Sequence, residues 1–201
     1  MTDPDVIETL AGIAPGSPLA LIRDRKPVTR QQAQASYRAL LEPAESGDVT
    51  AQERFAVATF VVGLHAQEEI TAFYAAALSR TAPPEAFLAA LLAEIQRGRA
   101  KGPYGAYPKG PLSTEDLPGP TYRVAESNRA IFGEKATTAL EHGHLLVFHP
   151  RDANPAALQA MLGAGWSTTG VVTLSQLVAF LAFQIRAAAA LRTLAAAGPA
   201  P

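Results

Sequence analysis

Helix punctuation is spread along the whole chain and constrains its fold class more than any other feature. Ser17 precedes Pro18 and Asn154 precedes Pro155. Each is a capping side chain followed by a proline at the first helical position, where the missing N–H is one the helix would leave unpaired anyway. Asp3-Pro4 has the same form and predicts a short first helix ending near Gly12. Thr50-Ala51-Gln52-Glu53 is a capping box, in which the threonine and the glutamate three residues on satisfy each other's end of the helix. The chain also holds 41 alanines among its 201 residues, and alanine is the best helix former. Strand-like alternation of apolar and polar residues is not found between turn signals, so the expected class is all-α.

The punctuation divides the chain. The Ser17 helix ends before Pro27, and Thr29 is the expected cap of a third helix running to about Leu41, before Pro43. From the capping box a single strong helix is expected over 51–79, with Phe55, Ala58, Val62, Ala66, Ile70 and Phe73 at helical spacing. Pro84 opens another that fades at Gly98. Helix resumes from about Tyr122 to Ile131, dips at Gly133 and continues to about Val147. Asn154-Pro155 starts a short helix stopping near Gly163 or Gly165, and Ser167 or Thr168 caps a final one to about Ala197. The helices at 51–79 and 168–197 are the expected centre of the core. One domain is expected overall: an N-terminal helical extension (1–34), a first helical half with the motif helix (35–97), a loop (98–120) and a second helical half (121–197).

The loop is set apart by composition. Five glycines and five prolines fall within the 23 residues from Gly98 to Pro120, a density that no regular helix or strand survives. Two readings stay open: a tether between the halves, or an arm lying across its own or a neighbouring subunit's surface. Tyr104, Tyr107 and Tyr122 are the anchors such an arm would use, having apolar bodies and polar tips.

The chain has no cysteine, which excludes disulfide scaffolds, thiolate zinc sites, iron–sulfur clusters and a cysteine nucleophile. A net charge of −1 gives no basic face for nucleic acid and no attraction to an anionic membrane. The acidic start, MTDPDVIETLAG, lacks the features of a signal peptide. The longest apolar stretch, Val171 to Ile185, is interrupted by Thr173, Ser175, Gln176 and Gln184 and is short for a membrane span. The expectation is a cytoplasmic protein with no nucleic-acid or membrane partner.

Serine-hydrolase, P-loop and dinucleotide-binding signatures are absent, so no cofactor is implied. A few polar groups on apolar helices remain. Glu53 has two readings: binding the N-cap amide, or relaying protons into the bundle. His65, Glu68 and Glu69 are spaced to share a helix face. They read either as a satisfied histidine beside exposed glutamates or as acid–base groups, and His65-x-x-Glu68 has metal-ligand spacing. His142, His144 and His149 cluster in EHGHLLVFHP. The first two diverge by about 200° in a helix, and a helix C-terminal turn, where an imidazolium suits the dipole, is the simplest reading. Trp166 is expected to staple the entry of the final helix. Gln184 and Arg186 break that helix's apolar run, facing a polar partner, a subunit boundary or, for Arg186, an anion.

Two stretches resemble the carboxymuconolactone decarboxylase and alkylhydroperoxidase D-like superfamily. Thr50-Ala-Gln-Glu-Arg-Phe-Ala-Val-Ala looks like the helix start bearing that family's relay glutamate. The segment from Gly165-Trp-Ser-Thr-Thr-Gly to Ala-Phe-Gln-Ile-Arg186 is similar to the close of its peroxidase-related branch. The resemblance covers about residues 35 to 195. It implies an alkylhydroperoxidase D-like helical bundle that forms a homo-oligomer. It also implies a redox Cys-x-x-Cys with a following histidine, and here those positions fall at His65, Glu68 and Ala72. A thiol peroxidase cycle needs a thiolate and a resolving thiol, and neither is present. Another branch of the family moves protons on lactone acids without a disulfide, which needs only a positioned acid and base. The expected site is then Glu53 and His65, with Glu68 or Gln67 orienting, acting on a small organic molecule. The alternatives are a catalytically inactive oligomeric binding or assembly module, and a metal-dependent enzyme using His65, Glu68 and one histidine of the 142–149 cluster.

Overall fold

A computed structural model describes residues 5–197. Among them are nine α-helices and no strands. In chain order these are α1 (Val6–Ala11), α2 (Pro18–Asp24), α3 (Pro27–Leu41), α4 (Ala51–Leu64), α5 (Glu68–Ser79), α6 (Glu85–Gly98), α7 (Glu126–Phe148), α8 (Pro155–Gly163) and α9 (Thr168–Ala197). The all-α expectation holds.

α4 is the centre. From Arg54 to Leu64 every residue is buried, and the helix packs against α5, α6, α7 and α9. A helix apolar all round belongs inside a bundle. Its small residues let neighbours approach closely. A Cβ added at Gly63 would meet Ile95 Cγ2 of α6 at 2.6 Å. Buried Arg54 stays charged by donating to three carbonyls, of Val49 (3.0 Å), Leu40 (2.7 Å) and Ser46 (2.9 Å), and so fastens the linker after α3 onto α4. Thr50 and Glu53 form the capping box, with both bonds made.

α9 is the second long element. It packs on α1, α3, α4, α7 and α8. By length and composition it is apolar enough to cross a membrane, and half of its most apolar window is buried in the bundle. Its outer face leaves Val172, Phe183 and Leu194 exposed. Buried Gln184 meets a polar partner, its Oε1 accepting the Tyr74 hydroxyl of α5.

The N-terminal helices are tied by ions. Asp5 and Glu8 are buried, and Arg23 of α2 donates to both, at 2.9 Å and 3.1 Å, with Arg30 of α3 adding a second cation.

Several boundaries differ from the expected ones. The helix expected over 51–79 is broken at His65–Gln67, where Ala66 takes a left-handed φ of 53°. The cap expected at Asp3-Pro4 lies outside the described residues, and Asp5 caps α1 by accepting from Glu8 N. α3 starts at Pro27, two residues before Thr29, because proline already supplies the first helical φ. α7 begins at Glu126 and not Tyr122, since Tyr122 is drawn away to bond Glu94. Gly133 does interrupt α7, with a φ of 72°. Trp166 is buried, and its indole N–H donates to the Lys135 carbonyl at 2.8 Å, so it locks α9 to α7 as well as closing the α9 entry.

The loop lies along its own chain. Gly105 and Leu117 form a short antiparallel bridge, and the Tyr104 amide donates to the Phe148 carbonyl at 2.6 Å. The Tyr104 ring lies so close to Gly119 that a Cβ there would sit 2.2 Å from Cγ. Tyr122 stacks on His144 at 4.5 Å, and the Arg151 guanidinium covers Tyr107 at 4.0 Å. All three tyrosines therefore serve as anchors.

Candidate functional site

His65 ends α4. Its amide closes the last turn on the Val62 carbonyl at 3.1 Å, and the left-handed Ala66 then turns the chain into α5. Arg99 braces this corner by donating to the Gly63 carbonyl at 3.0 Å. The imidazole is half-buried, and its Nε2 is enclosed without a hydrogen-bond partner. Burial, and then the positive charge of Arg186, hold His65 below the ordinary histidine range. It is therefore a neutral imidazole at pH 7, able to accept a proton.

His65 lines a cleft of about 570 Å³ between the start of the loop, the end of α7 and one face of α9. Leu146, Val147, Phe148, Val178 and Ala182 give it apolar walls; Lys101, Arg186 and Ser175 are its other polar groups. Ser175, Val178, Ala179, Ala182 and Arg186 lie three, four, seven and eleven residues along α9, hence on one face. The Arg186 guanidinium leans back onto the Ala182 carbonyl at 2.9 Å. Ser175 Oγ leans the same way, donating to the Val171 carbonyl at 2.8 Å.

Behind Ser175 stands His142 of α7, its Nε2 2.9 Å from Oγ. The serine's single proton is engaged by Val171, so His142 Nε2 carries the proton of this bond and Nδ1 is left as a bare, buried lone pair. Burial lowers the His142 pKa, which keeps this ring neutral.

His142, His144 and His149 also border a second cleft, of about 370 Å³. The pair at 142 and 144 sits in the body of α7, not in its last turn, and does diverge: His142 goes to α9, and His144 Nε2 to the Gly98 carbonyl of α6 at 2.9 Å. His149 is the residue at the helix end. Its Nδ1 meets Asp152 Oδ2 at 2.8 Å and its Nε2 the Pro120 carbonyl at 3.1 Å, clasping the end of the loop.

The other expected site residues lie elsewhere. Glu53 stands at the opposite end of α4, about 18 Å from His65 at 1.5 Å per residue. One oxygen accepts the Thr50 amide at 2.8 Å and the other pairs with Lys135 Nζ at 2.8 Å. It borders a separate cavity of about 210 Å³, with Phe87, Phe132 and Trp166. Glu68 begins α5 and is exposed, paired with Arg99. Glu53, His65 and Glu68 are therefore not brought together. Among the described residues, no three histidine or carboxylate side chains converge as metal ligands would.

Arg186 was marked by its break in the apolar run. Ser175 figures in the sequence only as a polar interruption of the Val171 to Ile185 stretch, and Lys101 does not stand out. Ser175 carries a signal in its register with Arg186 on α9, whereas nothing local marks Lys101, which the loop delivers.

Searches against protein-family models, curated proteins and solved structures return no match.

Proposed function

We propose that the chain binds an organic acid in the His65 cleft and carries out cysteine-independent acid–base chemistry on it. The observation that carries this reading is the meeting, in one largely apolar cleft, of a neutral, unpartnered imidazole with the cations Arg186 and Lys101. An apolar cavity with a few convergent polar groups is the usual form of a small-molecule site. Arg186 and Lys101 hold the carboxylate and His65, next to Arg186, moves a proton on the adjacent group. Glu53 has no part in this step, being engaged by Thr50 and Lys135.

Under this reading the chain is a thiol-free variant of the alkylhydroperoxidase D-like family. The capping-box helix start at Glu53 and the Gly165–Arg186 segment support that placement. The exposed Val172, Phe183 and Leu194 on α9 support self-association into a homo-oligomer.

The test is deuterium exchange. α-Oxo and β-oxo acids are incubated with the protein in heavy water, and proton loss next to the carbonyl is followed by NMR. Exchange above the buffer rate that disappears in His65→Gln is the expected result. Equal exchange in the two proteins removes His65 from the chemistry.

A further inference from the structure

We infer that the His65 cleft is built as a ruler for an elongated aliphatic acid, with the carboxylate at Arg186 and a second, hydrogen-bond-accepting oxygen at Ser175. The inference rests on the proposed reading of the cleft and names its ligand class.

The length comes from α9. Ser175 Oγ and Arg186 Nη1 each rest on the carbonyl four residues back, Val171 and Ala182. The two side chains lean alike, so their polar atoms are separated by the rise of eleven residues, about 16 Å. Between them lie Val178, Ala179 and Ala182, with Leu146 and Phe148 across the cleft. None of these offers a side-chain hydrogen bond. A ligand that reaches both ends spans roughly 12 Å between its own oxygens, once about 3 Å of hydrogen bond at one end and some lateral offset are removed. An extended chain advances about 1.2 Å per bond, which makes roughly ten bonds. The 570 Å³ cleft has room for such a chain.

Charge sets the polarity of the ruler. Arg186 and His65 are at one end, where the cation lowers the imidazole pKa. The other end is set by Ser175, whose hydroxyl is backed by the His142 N–H. Rotation of the Ser175 O–H from the Val171 carbonyl to a ligand oxygen costs one helix back-bond and gains one to the ligand, while His142 keeps donating to Oγ. His142 is thus a positioning residue that holds Ser175 as a donor. A neutral hydroxyl or carbonyl oxygen suits that end, and a second ammonium or an apolar methyl does not.

The experiment is calorimetric titration of the intact protein with hexanoate, decanoate and dodecanoate, below their micelle concentrations, and with the ω-hydroxy acid of each length. Affinity is expected to rise with chain length. The ω-hydroxyl should add about fivefold at ten carbons, the tested length nearest the ten-bond span, and nothing at six, the size of one net hydrogen bond. Ser175→Ala should erase that gain, read as the ratio of ω-hydroxydecanoate to decanoate affinity within the variant. His142→Gln should reduce the same ratio, whereas a merely structural defect would weaken both ligands alike and leave the ratio unmoved. Arg186→Ala should weaken every acid by at least about tenfold. Acids that bind with the same affinity at all lengths, or an ω-hydroxyl gain that survives Ser175→Ala, overturn the ruler and leave the acid site standing. Acids that fail to bind at any length overturn both.

Discussion

Glu94 offers the sharpest test of how the loop is joined to the bundle. Its side chain is fully buried on α6. Oε1 accepts the Ala125 amide at 3.1 Å and the Asn128 amide group at 2.6 Å; Oε2 accepts the Tyr122 hydroxyl at 2.7 Å and Arg97 at 2.5 Å. One carboxylate therefore holds the end of the loop, the start of α7 and its own helix together. Glu94→Ala removes the acceptor for three inward donors. Arg97, half-exposed, turns to water at little cost. Buried donors left unpaired cost about 1–3 kcal/mol each. Tyr122 and Asn128 retain some solvent contact, so the sum is set near 4 kcal/mol, in the range for breaking a buried charged pair. Glu94→Gln keeps one oxygen, and either the Tyr122 hydroxyl or the Asn128 amide can reorient to accept from the new NH₂, so it costs about 1–2 kcal/mol. For a chain of this size the alanine variant should melt about 10 °C lower. Urea unfolding followed by far-UV circular dichroism separates the two. Hydrogen bonding outweighs burial in holding the Glu94 pKa below its ordinary value. Its stabilisation is therefore complete above the ordinary carboxyl range and is lost as pH falls through the folded value. Glu94→Gln should accordingly flatten the acid limb of the stability profile. An alanine variant within about 1 kcal/mol of wild type, or a glutamine variant as damaged as the alanine one, would mean that the Glu94 carboxylate does not hold these elements together.

Gly63→Ala should cost about 1–2 kcal/mol, because overpacking against Ile95 outweighs the helix propensity gained; Ile95→Val should recover part of it in a double-mutant cycle by urea unfolding. His65→Leu should raise stability by about 1 kcal/mol, since an unpartnered buried nitrogen is replaced by apolar atoms, while the deuterium exchange that depends on His65 is lost. Burial lowers the pKa of His65, His142 and His144. The unfolded chain binds their protons more readily, so stability should fall as pH drops through the ordinary histidine range, and less steeply in His65→Leu. Trp166→Phe should cost about 1–2 kcal/mol in thermal unfolding through the lost bond to Lys135 O and the weaker ring under Lys135 Nζ.

The helices were legible wherever a cap or proline spoke locally. Ser17, Thr50, Asn154 and Ser167 each bond the amide three residues on. The break at His65 was not, because its residues carry no breaker. Ala66 takes a left-handed φ that costs roughly 1–2 kcal/mol, and that cost is met by tertiary contacts: Arg99 on the Gly63 carbonyl and the burial of Ile70 on the far side of the turn. The apolar spacing ran on through 66 and 70 because α4 and α5 both face the core. The site was half legible. His65 and Arg186 stood out as polar interruptions of apolar runs. Glu53 stood out as well, but its capping role was the one realised, with Lys135 added from α7. The link from His142 to Ser175 joins residues 33 apart on two helices, and only the packing of α7 on α9 creates it.

Occupation of the cleft beside a neutral His65 by an organic acid is open to direct measurement. The direct measurement is the imidazole NMR spectrum of the intact protein, recorded against pH with and without saturating decanoate. His65 should titrate below the ordinary histidine range in the free protein, and decanoate should shift its ring signals saturably and raise its midpoint, because the bound carboxylate offsets the charge of Arg186. A His65 spectrum and midpoint that decanoate leaves unchanged, while signals near Glu53 or the second histidine cleft move, would contradict it.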